Sequence, residues 1–217
     1  MTGLILKDMI NLKNNAKIFA VLAVVYAAMG FTTEDSSFFS SIFTMLVAIL
    51  TLSAYSYDDL AKWDVYALTM PITREDIVRS KYCIMLLLTL LGSVVSILFT
   101  VGINAVIRPE HLFSGINNCF IGAGIVIVFY CIVLPFITKL GVEKARLIFF
   151  AVYFIPVGIL LFVSKAMKKG DMSVPEEWIT FAMRIIRNGY IIFPLLLLLA
   201  LVISYTVSVG IYHKKEF

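Results

Sequence analysis

From Tyr82 to Ile107 the chain runs through YCIMLLLTLLGSVVSILFTVGINAVI, 26 residues without one Asp, Glu, Lys, Arg or His. A bilayer core is about 30 Å thick and is crossed by about 20 apolar residues of helix. Inside it every backbone N–H and C=O has to be satisfied within the segment, which a helix does. Five further charge-free runs follow the same logic: Ile18–Phe31, Phe38–Tyr57, Cys119–Thr138, Leu147–Ser164 and Tyr190–Tyr212. The first is short unless Ala16 is added and Lys17 snorkels at its end. The expectation is an all-α, polytopic membrane protein, one transmembrane domain over 1–217 with six transmembrane helices. Composition agrees, because 61% of residues are hydrophobic and 15% charged, against about 45–50% and about 25% in soluble domains.

Lys and Arg in short loops set orientation, cytoplasmic loops being the richer. With the N-terminus inside, Lys7, Lys13, Lys17, Lys62, Arg74, Arg79, Lys81, Lys139, Lys144, Arg146, Lys214 and Lys215 are cytoplasmic. Only Arg108, Lys165, Lys168, Lys169, Arg184 and Arg187 are then outside. The expected topology is N-in and C-in. The net charge of +4 follows from this placement and needs no nucleic acid. Lys7 to Lys17 with Ala27-Ala28 imitate a cleavable signal peptide, but cleavage would leave five spans, so the segment is expected to stay.

Two segments are neither span nor plain loop. Residues 1–16 contain GLILKDMINLK, where Ile5, Met9 and Leu12 share a face with Lys7, Asp8 and Asn11 largely elsewhere; this predicts a helix lying in the cytoplasmic interface. Within 165–189, Ser173-x-x-Glu176 forms a capping box with Pro175 in the first turn. Trp178, Phe181 and Ile185 then share an apolar face, with Arg184 polar, as an outer-surface helix would have them. A third feature lies in the first span. Ala16, Ala20, Ala23, Ala27 and Gly30 recur at spacings of four and three, and small residues so spaced let two helices approach closely. A contact within the chain and a homodimer seam both fit; we assign the stripe to a dimer interface shared with the fifth span.

Chemistry-bearing constellations are missing from the sequence. There is no G-x-x-x-x-G-K-[ST], no metal-ligand spacing, and His111 and His213 lie far apart. Cys83, Cys119 and Cys131 are odd in number and sit in or beside apolar runs, as small buried hydrophobes do. Hydroxyls and amides in the spans, among them Thr51, Ser96, Thr100, Asn104, Ser204 and Ser208, read as helix-packing groups, with a mildly polar path as the alternative. No enzyme is expected, and uphill movement of any cargo needs an outside engine.

Residues 58–81 are where that engine would attach. Asp58, Asp59, Lys62, Asp64, Arg74, Glu75, Asp76, Arg79 and Lys81 put nine ionised groups in 24 residues. One charge at the bilayer centre costs at least about 2.5 kcal/mol, so the segment lies outside it. Thr73 is placed to cap a helix, with Asp76 at the third position and Glu75-Asp76 near the positive end of its dipole. Ile77, Val78 and Tyr82 are expected to form an exposed apolar face beside Arg79 and Lys81, so Ile77→Asp should uncouple without blocking insertion. From residues alone, a capped solvated loop and a docking piece both stand.

The run Lys62-Trp63-Asp64-Val65-Tyr66-Ala67-Leu68-Thr69-Met70-Pro71-Ile72-Thr73-Arg74-Glu75-Asp76-Ile77-Val78-Arg79-Ser80-Lys81-Tyr82 resembles the signature loop of ABC-2 type permeases. The subgroup it resembles includes membrane subunits of bacterial exporters for phenol-soluble modulins, small amphipathic cytolytic peptides. The resemblance implies two membrane subunits, identical in a homodimer, working with two separate ATP-binding subunits that carry ATP and Mg; none of these cofactors is held by this chain. It implies a multi-pass protein of the bacterial cytoplasmic membrane. It makes residues 72–81 the coupling helix on the ATPase, drawing on Trp63, Asp64, Tyr66, Pro71, Thr73, Arg74, Glu75, Asp76, Ile77, Arg79 and Lys81. It makes Trp178, Phe181, Arg184 and Ile185 part of an extracellular gate helix. The rival functions are ABC export of drugs, antibiotics or lipids, and an ATPase-independent channel or scaffold.

Overall fold

The computed structural model describes residues 2–32, 36–107, 109–168 and 189–215. Every regular element among them is helical: α1 (Thr2–Thr32), α2 (Ser36–Leu60), α3 (Trp63–Ala67), α4 (Arg74–Ile107), α5 (Ile116–Lys168) and α6 (Gly189–His213), with one 3₁₀ turn at Pro109–His111. Three helical stretches among the described residues are long and apolar enough to cross a membrane: Arg74–Ile107, Ile116–Ala145 and Phe193–His213. The gate residues Trp178, Phe181, Arg184 and Ile185 lie outside the described residues.

α2 is the hub, packed against α1, α4 and α5. Its buried side chains Thr44, Ala48, Thr51, Tyr55 and Asp58 recur at spacings of four and three, one face of a helix. Gly92 of α4 lets the two helices meet closely, since a Cβ there would stand 3.2 Å from Val47 and 3.3 Å from the Thr44 backbone. Beside it the Thr44 and Ser96 hydroxyls bond at 2.7 Å. On the other side Tyr82 bonds Ser204 at 2.6 Å and Ser208 at 2.8 Å, stitching α4 to α6. Tyr130 donates to the Ala48 carbonyl at 2.7 Å, tying α5 to α2. These hydroxyls act in helix packing, one of the two roles their sequence allowed. Cys119 and Cys131 are buried and all three cysteines are free.

Two departures from the expected layout have local causes. α1 is one helix over 31 residues, so the stretch expected as a separate interfacial helix continues straight into the first apolar run. Its inward face is Leu4, Asp8 and Leu12, while Met9 is exposed; a buried partner for Asp8 rotates the face by one position. α5 spans both expected runs four and five and turns between them at Gly141, whose φ of 76° and ψ of 169° no helix accommodates. That backbone region is almost confined to glycine.

Candidate functional site

One end of the bundle collects the charged residues, and its construction starts with the neighbours Asp58 and Asp59 at the end of α2. Asp58 continues the buried face of that helix. Its carboxylate takes Lys7 of α1 and Lys81 of α4, each at 2.5 Å. Asp8, only 1% exposed, pairs with the same two lysines, at 2.9 Å to Lys81 and 3.2 Å to Lys7. The four groups form a closed, electrically neutral ring in which each charge has two opposite partners. Rings complete the shell: Lys7 sits 4.2 Å from the Trp63 ring centre and Lys81 5.1 Å from that of Tyr55. A buried ion loses several kcal/mol of hydration, on the order of what two well-placed opposite charges return. The ring therefore holds the ends of α1, α2 and α4 in one arrangement.

Asp59 turns the other way and accepts the Val142 N–H at 2.8 Å. It thereby caps, from another helix, the limb of α5 that begins after Gly141. Arg74 Nη1 donates to the carbonyls of Tyr212 (3.2 Å), His213 (2.7 Å) and Lys215 (3.2 Å). These are carbonyls of the kind a helix C-terminus leaves unsatisfied, and the cation suits the negative end of the dipole. One end each of α1, α2, α4 and α6, and the kink of α5, are thus latched together by α2 and by the first turn of α4.

The start of α4 carries the expected cap. Thr73 Oγ1 donates to Asp76 Oδ2 at 2.8 Å, and the Asp76 N–H donates back to that hydroxyl at 3.1 Å. The Thr73 hydroxyl, then its N–H, hold the Asp76 carboxyl below its ordinary value of 3.8. A lowered folded value means the cap's contribution is present above 3.8 and fades as pH falls through the folded value. Thr73→Ala is expected to move the Asp76 titration back up toward 3.8, read by carboxyl-carbon NMR, and to remove that acid-limb dependence from the melting temperature.

The structure separates the residues singled out by sequence. Tyr66, Pro71, Thr73, Glu75 and Arg79 are exposed; Trp63, Asp64, Arg74 and Asp76 are partly buried. Ile77, at 3%, Val78, at 2%, and Tyr82 belong to the core instead, packed with Tyr55, Ile137 and Tyr212. Lys81 is inside as well. The exposed apolar face expected at Ile77 is therefore corrected: that face is covered by the chain's own α5 and α6. Ile77→Asp would put a charge in the core, so it damages folding and reports nothing on coupling. Of the small-residue stripe, Ala20 is exposed and Ala23 partly exposed; the side chains of Ala16, Ala27 and Gly30 lie outside the described ones.

Sequence reasoning placed Lys7 and Asp8 on the polar side of an interfacial helix and Asp58 and Asp59 in the charged segment 58–81, and missed the ring and the cap they form. A signal was present in α2, where the four-and-three spacing of 44, 48, 51 and 55 lands next on Asp58.

A helical bundle with three apolar helices and a polar, latched end defines a membrane-integrated helical protein. Comparison with protein families goes further: the model described as ABC-2 family transporter protein matches residues 3–213, and the chain belongs to that family. Its members are membrane components of transporters, not themselves catalytic, and normally work with an ATP-binding subunit. Neither a curated protein nor a solved structure matches the chain.

Proposed function

We propose that the chain is the membrane subunit of an ABC exporter in the bacterial cytoplasmic membrane, with six spans and its charged end in the cytosol. Two copies work with two ATP-binding subunits, which hold ATP and Mg, and carry amphipathic, cytolytic peptides outward. One observation carries the docking half of this reading. Near the charged end, outside the three apolar stretches, Leu60 (82%), Val65 (54%) and Tyr66 (56%) stand exposed. Exposed apolar groups rimmed by charge mark interaction sites, and tyrosine is favoured at their energetic centres. Lys62, Pro71, Glu75 and Arg79, in the same stretch of chain, are exposed as well.

The seat is mechanically connected. Trp63 beside Tyr66 lies against Lys7 of the charge ring, and Ala67 is fully buried. A push on α3 is thus passed to α1, α2 and α4 together. Switching the subunit from 1:99 to 99:1 between inward-open and outward-open states requires about 5.5 kcal/mol of differential interaction. A rigid, core-anchored seat can deliver that, where a loose loop cannot. The peptide cargo rests on the 62–82 loop resemblance, and the dimer on the stripe, whose Ala23 is not fully covered.

Purification from native membranes should bring down a P-loop ATPase. Its hydrolysis should rise with amphipathic peptides and not with lipids or small drugs. A lipid-only or drug-only response would move the cargo to those classes, and full activity without any ATPase would end the exporter reading. A cysteine at position 23 should give a cross-linked dimer in membranes.

A further inference from the structure

One face of α1 mixes two chemistries. Leu6, Ile10, Lys13, Lys17, Val21 and Val24 follow one another at spacings of four and three, and all six are exposed. They lie opposite Leu4, Asp8 and Leu12, the side turned into the bundle. Two cations therefore stand one turn apart in the middle of an aliphatic stripe. Neither joins an ion pair among the described residues, whereas Lys7, Lys81 and Lys215 each do. Their height follows from what packs behind them. Leu12 belongs to one buried cluster with Ile84 and Leu88 of α4 and with Leu50 and Ala54 of α2. That level is already inside the charge-free run of α4, which begins at Tyr82. The run is 26 residues, about 39 Å of helix, against a bilayer core of about 30 Å. Lys13 and Lys17 lie about 9 and about 15 Å along the axis beyond Lys7 of the charge ring. Even if all the excess length of α4 is on the ring side, Lys13 reaches the edge of the hydrocarbon and Lys17 stands a turn inside it. A bare charge there is costly, and long cationic side chains avoid the cost by reaching back to the interface. Helical side chains lean toward their helix N-terminus, here the charged end, so both ammoniums reach toward the same headgroup layer.

We propose that Lys13 and Lys17 hold the phosphate of one anionic phospholipid in the leaflet at the charged end, with its acyl chains along Val21 and Val24. Charge decides the class of headgroup. Two ammoniums without a neighbouring carboxylate suit a net negative headgroup, while a zwitterionic one brings its own cation to the same place. The exposed valines suit lipid tails, which a free phosphate lacks. A second copy of the chain fits this face less well, since a symmetric pair joined through it would set the same cations against each other. The inference needs α1 to meet the membrane; it needs neither the ATPase nor the peptide cargo.

The test uses the full chain in nanodiscs of equal phosphatidylglycerol and phosphatidylcholine, with the lipid that stays bound on gentle release identified by native mass spectrometry. Wild type should retain phosphatidylglycerol. Each lysine near an anionic surface is worth about fivefold in affinity, so Lys13→Gln with Lys17→Gln should lower that preference roughly 25-fold. Lys13→Arg with Lys17→Arg should keep it. Lys139→Gln with Lys144→Gln removes the same charge from exposed positions on either side of the α5 kink and should leave the preference unchanged. Equal losses in the two Gln pairs would overturn the site in favour of diffuse charge. Loss in the Arg pair, or equal retention of both lipids by wild type, would overturn it too. Millimolar inorganic phosphate should displace nothing, and release of the lipid by phosphate would overturn the phospholipid as occupant. If the Lys13 and Lys17 Gln pair abolishes the cross-link from position 23 and leaves lipid retention intact, a second copy covers this face and the proposal falls. No ATPase enters the experiment, so the lipid site and the exporter reading stand or fall separately.

Discussion

Lys81→Met is expected to be among the most damaging single substitutions in the chain. The methionine fits the volume, but it leaves Asp8 and Asp58 sharing Lys7, with one buried negative charge uncompensated. Removing one partner from a buried ion pair costs about 3–5 kcal/mol, and Asp8 at 1% exposure has no water to fall back on. The expected result is a sharp loss of folded protein after detergent extraction, read as a fall in melting temperature and in monodisperse yield. Adding Asp8→Leu should recover most of that loss, since Lys7 and Asp58 then remain as one balanced pair. Lys7→Gln should cost less, because the Lys7 side chain is 22% exposed and water can screen what it leaves behind. Equal damage from Lys7→Gln and Lys81→Met would refute the ring as described.

Gly141→Val carries the second-largest expected effect. The space would tolerate a Cβ, whose nearest neighbour, Asp59 Oδ2, would lie 3.5 Å away. The backbone would not: holding a side-chain-bearing residue in so sparsely populated a region costs about 1–3 kcal/mol. If the chain escapes by straightening, Val142 loses its cap from Asp59. The second limb of α5 also swings from its seat, where Phe149 meets Phe129 edge-to-face at 4.8 Å. Gly158 is the control. Open space surrounds it within a helix, so Gly158→Ala should be neutral or gain roughly 0.5–1 kcal/mol. Thermal unfolding should therefore come earlier for Gly141→Val and hold or come later for Gly158→Ala, and equal losses in the two variants would contradict the assignment of Gly141 as the turn.

What the sequence disclosed depended on how far each cause reached along the chain. The Thr73–Asp76 cap was legible to the residue, because both partners lie within one helical turn and the chemistry is local. The apolar runs disclosed the helices for the same reason, since periodicity and absence of charge are properties of a segment. Ile77 defeated that approach. It looked like the surface of a docking helix because its cover, Ile137 and Tyr212 among others, is supplied by residues far along the chain. Asp8 failed in the same way: a carboxylate beside a lysine reads as solvated until Lys81, 73 positions on, is brought against it. Gly141 lay in a short polar gap between two apolar runs, where a loop was expected, and only its positive φ distinguishes a hinge from a loop. Long-range pairing, more than helix formation, was the part that one sequence withheld.

These pieces make residues 60–79 a surface tied by buried charge to three helices at once, and the account depends on what touches that surface. A photo-crosslinking phenylalanine analogue placed at Tyr66, activated in intact cells of the native host, asks this directly. The account predicts one major adduct, between this chain and a polypeptide that binds ATP. An adduct confined to lipid or to the chain itself, or labelling of position 66 by reagents that stay outside the cell, would contradict it.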